Sequence, residues 1–189
     1  MIKTIGHSNH PIDRFLGLLK AGGVKVLVDV RSMPYSRRFP QFGRERLAKS
    51  LSDVGILYRY EGAALGGKPT SRKMGGGGSY GEIAARPDFR QALDRLVAGA
   101  ADASLCLMCA EKEPLDCHRT VLVSRRLAER GVPIEHLLAD GSRQSHAVIE
   151  EKLLMAGDGG GPDLFTTAED RAALLARAYE SRERVMKRA

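Results

Sequence analysis

Short runs of β-branched and aliphatic residues alternate along this chain with longer stretches whose apolar positions recur at three- and four-residue spacing. Ile2–Gly6 reads as a first strand. Pro11 then opens a helix to Lys20, with Phe15, Leu18 and Leu19 on one face and Gly22-Gly23 as its stop. The run VKVLVDV (24–30) suits a strand buried on both faces. Residues 31–42 form a polar loop with two prolines, and 43–54 return to helical spacing through Leu47, Leu51 and Val54. Further strands are expected at 56–60, 104–110 and 133–138. Helices are expected at 88–98, 117–130 and 145–154, with a long glycine- and lysine-containing loop over 62–81.

Strand followed by helix, repeated, implies right-handed crossovers and a mostly parallel sheet covered on both faces. The expected fold is therefore α/β: a three-layer, Rossmann-like domain of about five strands over residues 1–156. The stretch GDGGGP (157–162) reads as a linker. Thr166-x-x-Glu169 then matches a capping box and opens a helix to about residue 187, packing on the domain or on a partner subunit.

Composition narrows the function classes. A length of 189 residues suits one domain with an appendage. A net charge of +7 favours anionic partners, either a small molecule or nucleic acid. Aromatics make up only 5% of residues and Trp is absent, which weakens any surface built on rows of stacking rings. No apolar run reaches the ~20 residues of a membrane span, and the first residues carry no signal-peptide core. A cytoplasmic protein without a membrane partner is expected, with its three cysteines reduced. A homodimer stays open.

In parallel sheets ligands bind outside the carboxyl ends of the strands. The expected strand ends carry His7 and Ser8, then Asp29 and Arg31, then Tyr60 and Glu61, then Cys109 and Glu111. The next helix begins at Cys117-His118-Arg119, so these residues should share one rim. With Asp116 as N-cap, Cys117 lies in the first helical turn, where free N–H groups and the dipole favour a thiolate or a bound anion. The competing reading is an inert cysteine at a helix start. Glu111 is either a general base or an ion-pair partner for Arg31 or Arg119. Asp29 lies inside a strand and needs a partner, with Arg31 nearest in sequence. His7 is either a proton carrier or a satisfied structural histidine.

Cys106 and Cys109 form a C-x-x-C, but residues three apart on a strand point to opposite faces. A metal site built from Cys106, Cys109, Cys117 and His118 is accordingly not expected, and no cofactor is. The loop RSMPYSRRFPQFGRER (31–46) interleaves five Arg with Tyr and Phe. It suits either phosphate grip with base stacking or a solvated loop pinned by its phenylalanines. The glycine run at 75–78 matches no phosphate-binding fingerprint and reads as a flexible loop able to act as a lid.

The segments TIGHS (4–8), DVRSMPYSRRFPQF (29–42), LGG (65–67), MCAEKEPLDCHR (108–119) and HLLADG (136–141) together resemble the domain-of-unknown-function 488 family. The resemblance spans roughly residues 2–141. It implies a compact α/β domain and a shared pocket of His7, Ser8, Asp29, Arg31 and Ser36 with Cys109, Glu111, Cys117, His118 and Arg119. It implies no reaction.

Two functions fit these residues best, ahead of a third, a thiol-redox or metal site on Cys109 and Cys117. One is an enzyme on a phosphate-bearing substrate, a nucleotide or nucleic acid. There Cys117 would be the nucleophile, Glu111, His7 and Asp29 the proton and charge handlers, and Arg31 and Arg119 the anion grip. The other is a non-catalytic nucleotide or nucleic-acid binding module with structural cysteines.

Overall fold

A computed structural model describes residues 1–68, 78–156 and 166–188. The linker expected at 157–162 and most of the glycine run lie outside these residues. Six strands form one sheet: β1 (Ile2–Gly6), β2 (Val26–Asp29), β3 (Leu57–Tyr60), β4 (Leu105–Cys109), β5 (Ile134–Leu137) and β6 (Arg143–Ser145). Their order is β3-β2-β4-β1-β5-β6, parallel except for β6, which pairs antiparallel with β5. The expectation of about five strands misses β6. Its signal is Asp140-Gly141, a hairpin dipeptide; Gly141 takes φ +98° and donates its N–H to the Leu138 carbonyl.

Strand alternation sends side chains into two cores. On one face Ile5, Leu27, Cys106 and Met108 meet helices α1 (Ile12–Ala21) and α2 (Arg44–Ser52). On the other face Val28, Leu105, Leu107 and Cys109 meet a longer series. Within the expected 62–81 loop lies a single turn, α3 (Gly62–Leu65), and α4 (Tyr80–Ala85) begins at its end. Helix α5 (Pro87–Asp102) packs Phe89, Leu93 and Leu96 on the sheet. Helix α6 (Arg125–Ala128), α7 (His146–Met155) and the C-terminal α8 (Ala168–Arg188) complete that side. Among the described residues, no helix is long and apolar enough to cross a membrane.

The stretch 117–130 departs from a simple α-helix. A 3₁₀ turn (Pro114–Asp116) precedes Cys117, whose backbone is extended at φ −135°, ψ 137°. Arg119–Ser124 is π-helical and only then does α6 follow. The carbonyl of Cys117 accepts from the N–H groups of Thr120 and Val121, so Cys117 itself holds the capping position expected for Asp116. The tail helix is likewise capped one residue late, since Thr167 Oγ1 accepts from the Asp170 N–H.

Helix α8 packs on the domain through Leu175, Ala178, Tyr179 and Met186. Tyr179 ends a buried chain of hydrogen bonds. Its hydroxyl donates to Glu150 Oε1 (2.9 Å), so its oxygen accepts from His146 Nε2–H (3.0 Å). His146 Nδ1 then accepts from His136 Nε2–H (3.0 Å), and His136 Nδ1 accepts from the Thr4 hydroxyl (2.8 Å). Only neutral imidazoles complete this direction of donation. Burial is the main cause that holds both below the ordinary histidine value, His146 at about 4.

A histidine depressed in the fold stabilises it above the unfolded pKa of ~6.5, and that contribution fades as pH falls toward the folded value. Thermal stability should therefore decline between about pH 6.5 and 4, with a shallower slope in His146→Gln, as read by circular dichroism melts. Tyr179→Phe should cost about 1–3 kcal/mol at pH 7, because it leaves His146 Nε2 and Glu150 with one partner fewer.

Candidate functional site

The sheet order creates the site. The chain leaves β1 toward α1 on one face and leaves the neighbouring β4 toward the π-helical segment on the other. The connections diverge, and a crevice opens between these two strand ends. There the strands are stitched together beyond their last register pair: His7 N–H donates to the Cys109 carbonyl and Ser8 N–H to the Ala110 carbonyl, both at 2.9 Å. Ser8 sits at φ +47°, a left-handed backbone held by these bonds. Gly6 permits the approach, since a Cβ there would lie 1.9 Å from the Glu111 carbonyl oxygen.

At the end of β2, Asp29 and Arg31 form a buried, bidentate pair, with Nε to Oδ1 at 2.9 Å and Nη2 to Oδ2 at 2.7 Å. Tyr58 donates to Asp29 Oδ2, and Arg31 Nη2 also donates to the Phe42 carbonyl. Arg31 Nη1 reaches His7 Nε2 at 3.2 Å. His7 Nδ1–H donates to the Ser8 carbonyl, so Nε2 is the accepting nitrogen and both ring positions are committed. Burial, then the Arg31 charge against the opposing Ser8 bond, holds His7 down at about 4. The ring stacks on Phe42 at 4.2 Å. His7 and Asp29 thus hold the rim in place, and His7 is neutral at physiological pH.

The floor of the crevice is a four-residue cluster. Glu111 turns its carboxylate inward, and Oε2 accepts from Cys109 and Cys117, each at 2.9 Å. His118 Nδ1 lies 3.5 Å from Cys109 Sγ, and its Nε2–H donates to the Val30 carbonyl at 2.9 Å. Arg119 N–H donates to Cys117 Sγ at 3.4 Å. The two Nη atoms of Arg119 donate to the Glu111 and Lys112 carbonyls, while its buried Nε has no hydrogen-bond partner among the described residues. Gly67 lets the α3 turn close on this floor, because a Cβ there would meet His118 Cβ at 2.7 Å.

The two thiols titrate in opposite senses. Burial pushes the Cys109 thiol well up, reinforced by its bond to Cys117 and by the charges of Cys117 and Glu111. Burial opposes ionisation of Cys117 as well, yet the Cys109 hydrogen bond, the Arg119 charge and His118 carry it well below the ordinary thiol value. Burial and then the Cys117 charge raise Glu111. His118 is raised against its burial by the bond to Cys117.

A cleft of about 1440 Å³ stands over this floor. Cys109, Glu111, His118, His7 and Ser8 line its base. Ser32, Tyr35, Ser36, Arg38 and Phe39 form one wall, Lys68 and Tyr80 another, and Arg182 and Met186 of α8 the third. Ser36 also accepts the Phe39 N–H at 3.0 Å, which shapes the wall.

Three expectations change with this placement. Cys117 is fully buried and lies beneath Cys109 rather than on the cleft surface. Arg119, expected to grip an anion, turns its Nη atoms onto the 111–112 carbonyls, whereas Arg31 lines the cleft while its fork engages Asp29, Phe42 and His7. Glu111 pairs with neither arginine side chain. Cys106 faces the opposite core, as its strand position requires. The sequence reading missed Ser32, Lys68 and Tyr80. LGG (65–67) was the available signal for the wall that closes on His118. Nothing in the sequence signals that α8 lines the cleft.

The family model described as "Domain of unknown function DUF488" matches residues 11–126, more than half of the chain. The chain belongs to this family. No curated protein and no solved structure matches it. The DUF488 match contains the 31–39 wall and the whole cysteine–glutamate–histidine floor, while β5, β6 and α8 lie beyond it.

Removing the guanidinium should be a folding lesion before it is a binding one. Arg31→Ala leaves Asp29 charged and unpaired in the core and should lose about 3–5 kcal/mol in denaturant unfolding. Arg38→Ala, on the cleft wall, should stay within about 0.5 kcal/mol of the parent.

Proposed function

We propose that this DUF488 chain is an enzyme that binds a phosphate-bearing, nucleotide-type substrate in the cleft and acts on it at the Cys109–Glu111–Cys117–His118 floor. One observation carries the reading: a cleft at the sheet's switch point has reactive side chains at its base and a basic, aromatic wall above them. Among the described residues, Arg38 and Lys68 carry no ion-pair partner, whereas Arg182 pairs with Asp116 and Lys187 with Glu183. Arg38 and Lys68 are thus the cations free to meet a phosphate. Tyr35 and Met33 are exposed at 67% and 75%, an apolar surface beside those charges that suits a base.

Within this reading the roles redistribute. Glu111, with its pKa raised, accepts or returns a proton at the base of the cleft. Cys109 and His118 face the substrate, and Cys117 acts through them from below. Arg31, Asp29 and His7 are positioning residues, Arg119 holds the 111–112 turn, and Ser8 and Ser36 offer hydroxyls at the rim.

The burial of Cys117 favours the second reading, a binding module with structural thiols. The two readings separate in one set of measurements. Calorimetric titration with nucleoside monophosphates should show binding that weakens as salt rises. Tyr35→Ala should lower affinity roughly tenfold through lost stacking. Arg38→Ala and Lys68→Ala should each lower it several-fold. Turnover of a bound nucleotide that disappears in Glu111→Gln, with binding retained, establishes the enzyme. Tight binding without turnover in the parent protein leaves the binding module, and absence of nucleotide binding removes both.

A further inference from the structure

We infer that the floor of the cleft is a zinc site, with Cys109, Cys117 and His118 as its fixed ligands and Glu111 as a fourth, exchangeable one. This goes beyond the nucleotide reading and does not depend on it.

The geometry of the donors comes first. One ligand atom from each of the four residues lies within 4.8 Å of every other. They come from separate pieces of chain: Cys109 ends β4, Glu111 sits in the turn after it, and Cys117-His118 opens the π-helical segment. Two sulfurs, an imidazole nitrogen and a carboxylate oxygen form the mixed set that zinc accepts in tetrahedral coordination. The set differs from the C-x-x-C reading of the sequence, because Cys106 points into the opposite core.

Charge is the second argument. Three acidic groups meet at one point, with Glu111 Oε2 at 2.9 Å from both sulfurs. Neither neighbouring arginine hydrogen-bonds the cluster through its side chain: Arg119 directs its Nη atoms to the 111 and 112 carbonyls and brings its backbone N–H to Cys117, and Arg31 turns to Asp29, Phe42 and His7. A divalent ion is the chemistry that lets thiolates and a carboxylate share this space, since metal binding releases their protons and that of His118.

The third argument is the shell behind the ligands. A metal-ligating histidine is usually oriented by a hydrogen bond from its other ring nitrogen. His118 has this arrangement: Nε2–H donates to the Val30 carbonyl at 2.9 Å and leaves Nδ1 toward the sulfurs. Glu111 is held by its own carbonyl through Arg119 Nη1 at 2.7 Å. The site also opens on one side. Cys109, Glu111 and His118 line the cleft, so a water or a substrate oxygen can reach the ion there while Cys117 closes the rear.

The test needs no substrate. The full chain, reduced, stripped with chelator and kept anaerobic, is titrated with Co²⁺ and then Zn²⁺. One equivalent of Co²⁺ should bind with sulfur-to-cobalt charge-transfer absorbance and the strong visible bands of tetrahedral cobalt, and one equivalent of Zn²⁺ should bleach both. Cys106→Ser should keep the full spectrum. Cys109→Ser, Cys117→Ser and His118→Ala should each weaken binding at least a hundredfold, and Glu111→Gln about tenfold. Should a ligand variant fail to fold, the parent spectrum and the Cys106→Ser control still decide. Sub-stoichiometric cobalt, cobalt without charge-transfer absorbance, or parent-like affinity in both cysteine variants would overturn the site. Nucleotide titrations stand apart from this outcome, so loss of the zinc site leaves the cleft reading to its own measurement.

Discussion

The buried pair of Asp29 and Arg31 is the constraint on which the rim depends. A carboxylate at the end of a central strand, with no exposure at all, is tolerated only because every lone pair facing inward is taken up. Arg31 Nε and Nη2, the Arg31 backbone N–H and the Tyr58 hydroxyl all donate to it. The same guanidinium then reaches outward to Phe42 and His7. One ion pair thereby joins β1, β2, β3 and the 31–42 loop. The loop has little regular structure before Pro40–Phe42, and its course is set by these bonds and by Phe42 packed between His7 and Phe15.

With the rim fixed in this way, sheet topology does the rest. Adjacent β1 and β4 send their connections to opposite faces, so the space above their ends is left to side chains rather than filled by a crossover. What enters that space is decided by strand parity. Cys106 and Cys109 differ by three positions, so one sulfur joins the α1–α2 core and the other joins the floor. The extended backbone at Cys117 turns the third sulfur back toward Cys109. Had 117 begun an ordinary α-helix, its side chain would have followed the helical screw from the first turn.

Much of this was legible in the sequence, and the reasons are physical. The central strands β2 and β4 stand out because a strand buried on both faces reads as a nearly unbroken apolar run. β6 stayed hidden because a three-residue edge strand has no such run, and Asp140-Gly141 is its one local mark. The identities at the strand ends were readable, and so was the divergence of Cys106 from Cys109. Partner choice was not. Periodicity says where a side chain starts, but whether Arg119 reaches a ligand or two carbonyls depends on a turn that only the folded backbone fixes. The role of α8 was hidden for a similar reason, since amphipathic spacing reveals a helix and the side it buries without showing which cavity its rim completes.

The separation of grip from floor is the feature that links these levels. Arg31 and Arg119, the natural candidates for an anion site, are engaged with Asp29 and with backbone carbonyls that fix the site. The free cations Arg38 and Lys68 instead stand on irregular segments above it. The buried groups are therefore stiff, while the cations proposed to meet a phosphate lie on loops whose sequence can vary without disturbing the floor. A close cluster of two buried thiols, a carboxylate and an imidazole at the base of an open cleft makes sense only on such a scaffold. Without the Val30 carbonyl to hold His118, and without glycine at 6 and 67 to let neighbouring backbones close in, four donors this near one another would relax apart.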